Sequence, residues 1–197
     1  MGNGQRLGNS GDGVLIGVLA VQGDFQAHIR TLTALGAGYR EVRTVQQLEG
    51  LDALILPGGE STAIMLGLER DGMAEPLRDR VHDGLPVLGT CAGMILMDRA
   101  HLGLMDIHAR RNAFGRQLRS FESDVSIAEL GERPVRGVFI RAPWVERRGP
   151  GVEVLAVLDG HPVAVREARR TAVAFHPELA GETRVHQMLM RMVRACR

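Results

Sequence analysis

Three short apolar runs set the frame of this chain: Val14 to Val21, Ala53 to Leu56 and Pro86 to Leu88. Runs apolar on both faces belong to strands covered from both sides, as in parallel sheets. Each is followed by a turn and then by residues at helical spacing. After the first, Gln22-Gly23-Asp24 turns the chain, with Asp24 a candidate N-cap. Phe25, Ile29, Leu32 and Leu35 then repeat as one helix face, closed by Gly36 and Gly38. Val42 to Val45 reads as a further strand. Pro57-Gly58-Gly59 closes the Ala53 strand, and helical material runs through Leu68 and again from Met73 to Val81. Strand and helix therefore alternate up to about residue 100, the pattern of a doubly wound α/β layer.

Beyond Arg110 the texture changes. Phe121 to Ile127, Val135 to Ile140, Val152 to Leu158, Pro162 to Arg166 and Thr171 to Phe175 read as strands joined by short turns. A last helix, Glu182 to Arg194, carries Val185, Leu189, Met192, Val193 and Cys196 on one apolar stripe. The expectation is a parallel sheet extended by antiparallel strands and closed by a C-terminal helix. Residues 1–13 are Gly- and Asn-rich and read as a flexible leader. Residues 14–197 read as one domain.

Composition narrows the function. The 197 residues carry a net charge of +1, with one Trp, one Tyr and five Phe. Near neutrality and few aromatics speak against a nucleic-acid surface. No run approaches the length of a membrane span. The leader lacks the basic and apolar regions of a signal peptide. Two cysteines, Cys91 and Cys196, imply no disulfide framework and fit a reducing, cytoplasmic setting. The histidines lack metal-ligand spacing, so no metal and no cofactor are expected.

Chemistry concentrates at three strand ends. Gly89-Thr90-Cys91-Ala92-Gly93 lies between an apolar strand and the apolar helix start Met94-Ile95-Leu96-Met97. Small residues on both sides of a cysteine at such a junction make a nucleophile elbow, with a helix N-terminus behind the sulfur. Plain packing of a buried cysteine is the alternative. Phe175-His176-Pro177-Glu178 follows the last strand. His176 can serve as base and Glu178 as its orienter, against the alternative of a surface histidine. His28, His101 and His186 fit ordinary helix faces or turns. Leu56-Pro57-Gly58-Gly59-Glu60-Ser61 ends a third strand. Its glycines let backbone N–H groups approach a ligand, and Gly59 with Ala92 can hold an oxyanion. The alternative is a tight turn with Ser61 as helix N-cap.

Together, Gly-Thr-Cys-Ala-Gly, Pro-Gly-Gly-Glu-Ser-Thr and Phe-His-Pro-Glu-Leu resemble the class I glutamine amidotransferases. The closer resemblance is to the glutaminase subunits of pyridoxal 5′-phosphate synthase. It is carried further by Gly17 to Phe25 with His28 after it, by Arg111-Asn112-Ala113-Phe114-Gly115-Arg116-Gln117, and by Gly137 to Pro143. It runs from about Ile16 to the last helix. Ala113 and Met94 are conservative departures, and the leader is extra.

The resemblance implies a flavodoxin-like three-layer sandwich. It implies Cys91 as nucleophile, His176 as base and acid, and Glu178 as orienter. Gly59, Glu60, Ser61, Arg111, Ile140 and Arg141 match glutamine-binding positions. It also implies hydrolysis of L-glutamine to glutamate and ammonia, and docking on a synthase that consumes the ammonia. That synthase core is dodecameric in the family, and the glutaminase is nearly idle until docked. The competing readings are another amidotransferase pathway, a γ-glutamyl peptidase and a non-catalytic regulatory subunit. Arg111 and Arg141 favour free glutamine over a peptide, because a guanidinium grips a carboxylate with two parallel bonds.

Overall fold

A computed structural model of the chain describes residues 5–6, 13–115 and 120–195. Most of the leader, together with Arg116, Gln117 and Cys196, lies outside the described residues. Twelve strands and five α-helices are assigned among them. The strands are β1 (Gln5–Arg6), β2 (Leu15–Leu19), β3 (Gly38–Val42), β4 (Ala53–Leu56), β5 (Val87–Thr90), β6 (Ile107–Arg110), β7 (Ser120–Val125), β8 (Val135–Ile140), β9 (Trp144–Arg148), β10 (Glu153–Leu158), β11 (His161–Glu167) and β12 (Arg170–Val173). The helices are α1 (Phe25–Ala34), α2 (Ser61–Arg70), α3 (Ala74–His82), α4 (Ala92–Met97) and α5 (Arg184–Arg194).

Eight strands form one sheet in the order β1-β3-β2-β4-β5-β12-β11-β10. The inner five, β3-β2-β4-β5-β12, are parallel. Strands β11 and β10 extend the sheet antiparallel on one side, and β1 pairs antiparallel with β3 on the other. The expected α/β architecture is present. Strands β2, β4 and β5 are buried at every position. That is the physical reason they read as continuous apolar runs.

Helices α1 and α5 share one face of the sheet, where His28 meets His186. Helices α2, α3 and α4 pack together on the other, as right-handed crossovers on either side of β2 require. All of α4 is buried.

Two features differ from the sequence-based expectation. The second strand ends at Val42 rather than beginning there, and Val45–Leu48 is a 3₁₀ turn. Strand β3 is only partly buried, so Gly38 to Glu41 lacks the apolar signal that marks its neighbours. Strands β7 and β8 also do not extend the main sheet. They form a separate antiparallel pair, as do β6 and β9. Strands β6 and β9 have no apolar run to announce them, because their outer residues are exposed.

Candidate active site

The parallel strands β4, β5 and β12 are adjacent and end at the same edge of the sheet. Their ends carry Pro57-Gly58-Gly59, Cys91 and His176. Ligand sites of open α/β sheets form at this edge. Three motifs far apart in sequence are thereby brought to one place.

Cys91 sits on a strained backbone, with φ 48° and ψ −105°. Its N–H donates to the Val173 carbonyl at 2.8 Å, tying the elbow to β12. Gly93 leaves the elbow room: a Cβ there would stand 2.1 Å from the Leu56 carbonyl oxygen. The Cys91 thiol donates to the Ile140 carbonyl at 3.7 Å.

His176 is anchored by its own N–H, which donates to the Val138 carbonyl at 2.8 Å. Its Nδ1 lies 2.7 Å from Glu178 Oε1. All three of Cys91, His176 and Glu178 are buried. Burial acts against charge on His176, but its hydrogen bonds to the Cys91 sulfur and the Glu178 carboxylate outweigh this and raise its pKa from 6.5 to about 10. With Nδ1 turned to Glu178, Nε2 is the nitrogen left for the sulfur.

Beside the sulfur opens a small cleft, lined by Gly59, Glu60, Ser61, Cys91, Ala92, Ile95, Arg111, Asn112, Ile140 and Arg141. Every substrate-binding and oxyanion position expected from the sequence lines it. Ile95 and Asn112 line it as well. Asn112 lies next to Arg111 in sequence but carried no expected role, and Ile95 looked like core helix.

Glu60, not Ser61, caps α2: its carboxylate accepts from the N–H groups of Thr62 and Ala63. Those two bonds, more than the nearby Arg111, hold its carboxyl below the usual range. The Glu60 N–H donates to Gln22 Oε1 at 2.9 Å, which ties the glycine turn to the loop after β2. Arg111 donates to Glu60 Oε1 at 3.0 Å and to Thr62 Oγ1 at 3.2 Å. Its guanidinium is half exposed over the cleft. The Ala113 N–H donates to the Ala142 carbonyl at 2.9 Å, joining the segment of Arg111 to that of Arg141.

Among the described residues, five non-glycine residues have positive φ, and three of them, Cys91, Asn112 and Arg141, line this cleft. Backbone strain of this kind gathers at functional sites. Two histidines expected on ordinary helix faces, His28 and His186, are instead buried in contact with each other beneath Glu178. Spacing cannot reveal such a pair, since 158 residues separate them. Asp24 precedes α1 as expected but makes no side-chain cap. No group of three or more His, Cys, Asp or Glu side chains is arranged to hold a metal among the described residues. No helix there is long and apolar enough to cross a membrane.

Known proteins resemble this chain in sequence and in fold. The chain is 51% identical over 194 residues to the pyridoxal 5′-phosphate synthase subunit PdxT of Nocardia farcinica, covering 91% of this chain and 86% of that one. It is 50% identical over 192 residues to the protein of the same name from Streptomyces avermitilis, covering 93% and 96%. A solved structure described as a glutamine amidotransferase superposes with a TM-score of 0.85 at 45% identity, over 91% of this chain and 98% of that one. The structure of PurLQS from Thermotoga maritima superposes at 0.68 with 17% identity, over 90% and 97%, and shows the common fold alone. Residues 18–195 match the family described as SNO glutamine amidotransferase. With nearly the whole chain matched, this protein belongs to the SNO glutamine amidotransferase family.

Proposed function

We infer that this chain is the glutaminase subunit of a pyridoxal 5′-phosphate synthase, releasing ammonia from L-glutamine for vitamin B6 synthesis. The single observation that carries the chemistry is His176, held between Glu178 and the sulfur of Cys91, which lines the same cleft as Arg111. The names of the relatives carry the pathway.

Arg111 and Arg141 receive the α-carboxylate of glutamine, and Glu60 lies within reach of its ammonium. The side-chain amide then lies against the sulfur. An imidazolium beside a cysteine favours thiolate, the nucleophilic form. The Cys91 thiolate attacks the amide carbon, and the N–H groups of Gly59 and Ala92 take the negative oxygen. The tetrahedral species collapses as His176 gives its Nε2 proton to the leaving nitrogen, so ammonia departs and a glutamyl thioester remains. Neutral His176 then takes a proton from water, whose oxygen attacks the thioester carbon. Glutamate leaves, and thiolate and imidazolium are restored. Glu178 keeps the Nδ1 proton in place throughout.

Ammonia freed into water would be protonated and lost. A glutaminase of this kind therefore works docked on the synthase, a dodecameric core in the family that the sequence resembles. A free catalytic thiol also suits the reducing cytoplasm.

The test is glutamate release from L-glutamine with and without the cognate synthase, for the native chain and Cys91→Ala. Release that needs both the synthase and Cys91 is expected. Full release without the synthase would remove the docking switch. No release with it would favour the regulatory reading instead.

A further inference from the structure

Beneath the proposed triad lies a polar cluster that the chemistry above does not use. His28, on α1, is fully buried. Its Nε2 stands 3.1 Å from Thr90 Oγ1 and 3.5 Å from Glu178 Oε1. Its Nδ1 stands 2.9 Å from Nε2 of His186, on α5. Thr90 ends β5 and precedes the nucleophile. Glu178 follows the strand that delivers His176. One ring therefore touches both segments that carry the triad. The Glu178 oxygen it faces is the one that His176 Nδ1 approaches at 2.7 Å. The other, Oε2, is buried without a hydrogen-bond partner among the described residues.

The proton positions follow from which atoms lack partners. Nδ1 of His186 is buried and has none. An orphaned N–H is costlier than an orphaned lone pair, so the proton of neutral His186 belongs on Nε2, directed at His28 Nδ1. His28 then carries its own proton on Nε2, donated to Thr90 Oγ1, with Glu178 Oε1 beside it at 3.5 Å. Burial keeps both rings neutral; for His28 the neighbouring His186 and His176 act in the same direction. Apolar side chains of similar volume would fill this space with no polar groups to satisfy.

We propose that His28, oriented by His186, is a positioning residue that braces the Glu178 carboxylate against Thr90 at the base of the nucleophile elbow. Without the brace, Glu178 can turn its carboxylate and His176 loses the alignment of Nε2 with the sulfur. This inference rests on the glutaminase reading above.

The experiment is a double-mutant cycle on the chain docked to its cognate synthase, with glutamate release followed for His28→Leu, His28→Gln, Glu178→Gln and the His28→Leu/Glu178→Gln pair. His28→Leu is expected to lower kcat by roughly 10- to 100-fold with KM for glutamine unchanged. His28→Gln, whose amide nitrogen reaches the place of Nε2, is expected to restore most of it. In the Glu178→Gln background His28→Leu is expected to cost nothing further, since both act through one carboxylate. Additive losses, or Gln no better than Leu, would overturn the proposal. Should His28→Leu fail to fold, His186→Leu, which frees the His28 ring without removing it, must meet the same expectations. A second readout needs no turnover: the NMR signal of the His176 Nδ1 proton in the free chain. His28→Leu must shift it, and an unshifted signal overturns the brace. If the native complex releases no glutamate, the glutaminase reading fails, and the NMR readout still decides the positioning role.

Discussion

Gly58 and His176 meet with no room between them. A Cβ on Gly58 would lie 2.1 Å from His176 Cε1 and 2.9 Å from its Nδ1. The turn after β4 thus forms a wall against which the imidazole is held. Gly58→Ala is expected to push the ring out of line with Cys91 and Glu178. Displacement of a reacting group by about 1 Å can cost roughly 10²-fold in rate. Measured glutaminase turnover should fall on that scale. Wild-type turnover in Gly58→Ala would show that the wall does not position His176.

Cys91→Ala is expected to lower glutamate release by ~10⁴-fold or more, since nucleophile and base act together and the remaining groups give only residual catalysis. A chloroketone analogue of glutamine should label the native protein once, at Cys91. Peptide mass mapping checks the site. Label on Cys196 instead would detach the cleft from the chemistry.

Arg111 is paired with Glu60 and Thr62 across the cleft. A charge-assisted bond to a substrate carboxylate is worth about 1.5–3 kcal/mol. Arg111→Gln should therefore raise KM for glutamine by roughly 10- to 100-fold with a smaller change in kcat. Arg111→Lys should recover little, because an ammonium cannot reproduce the planar fork. Steady-state kinetics in the docked complex separate the two constants. An unchanged KM would remove Arg111 from the substrate site.

The buried histidines set opposite pH limits on stability. Burial lowers the His186 pKa from 6.5 to about 4. The unfolded chain therefore binds this proton more readily. The contribution of neutral His186 is fully present above about pH 6.5 and is lost as pH falls toward 4, a change of roughly 3 kcal/mol. For His176, raised to about 10, the sign reverses: its contribution is complete below about 6.5 and is lost as pH rises through 10. Urea unfolding from pH 4 to 10 should show both limbs. His186→Leu should make the acid limb shallower, the remainder belonging to His28, which burial also keeps neutral, and His176→Asn should flatten the alkaline one. A His186→Leu curve parallel to the native one would refute the assignment.

Much of the fold and the site is legible in the sequence. The elbow around Cys91 can be read because sterics demand small residues there: Gly89 and Gly93 have no space for a Cβ against Met97 and Leu56. Strands β2, β4 and β5 can be read because burial on both faces makes them apolar throughout. Strands β6 and β9 cannot, since half-exposed edges with charged residues look like loops. Residues Ile95 and Asn112 join the cleft only through the close approach of α4 and the turn after β6.

What the sequence determined by itself was local and periodic: the alternation of strand and helix, the small residues of the elbow, and the His-Pro-Glu spacing that lets one turn pair His176 with Glu178. Tertiary structure alone decided what depends on distant segments meeting. It ordered β4, β5 and β12 side by side, and it set His28 and His186 under the Glu178 carboxylate. It also joined the Arg111 and Arg141 segments at one cleft. The physical reason is that residue spacing encodes neighbours along one element. Contacts between elements arise from sheet order and packing, which follow from the burial of the whole core at once.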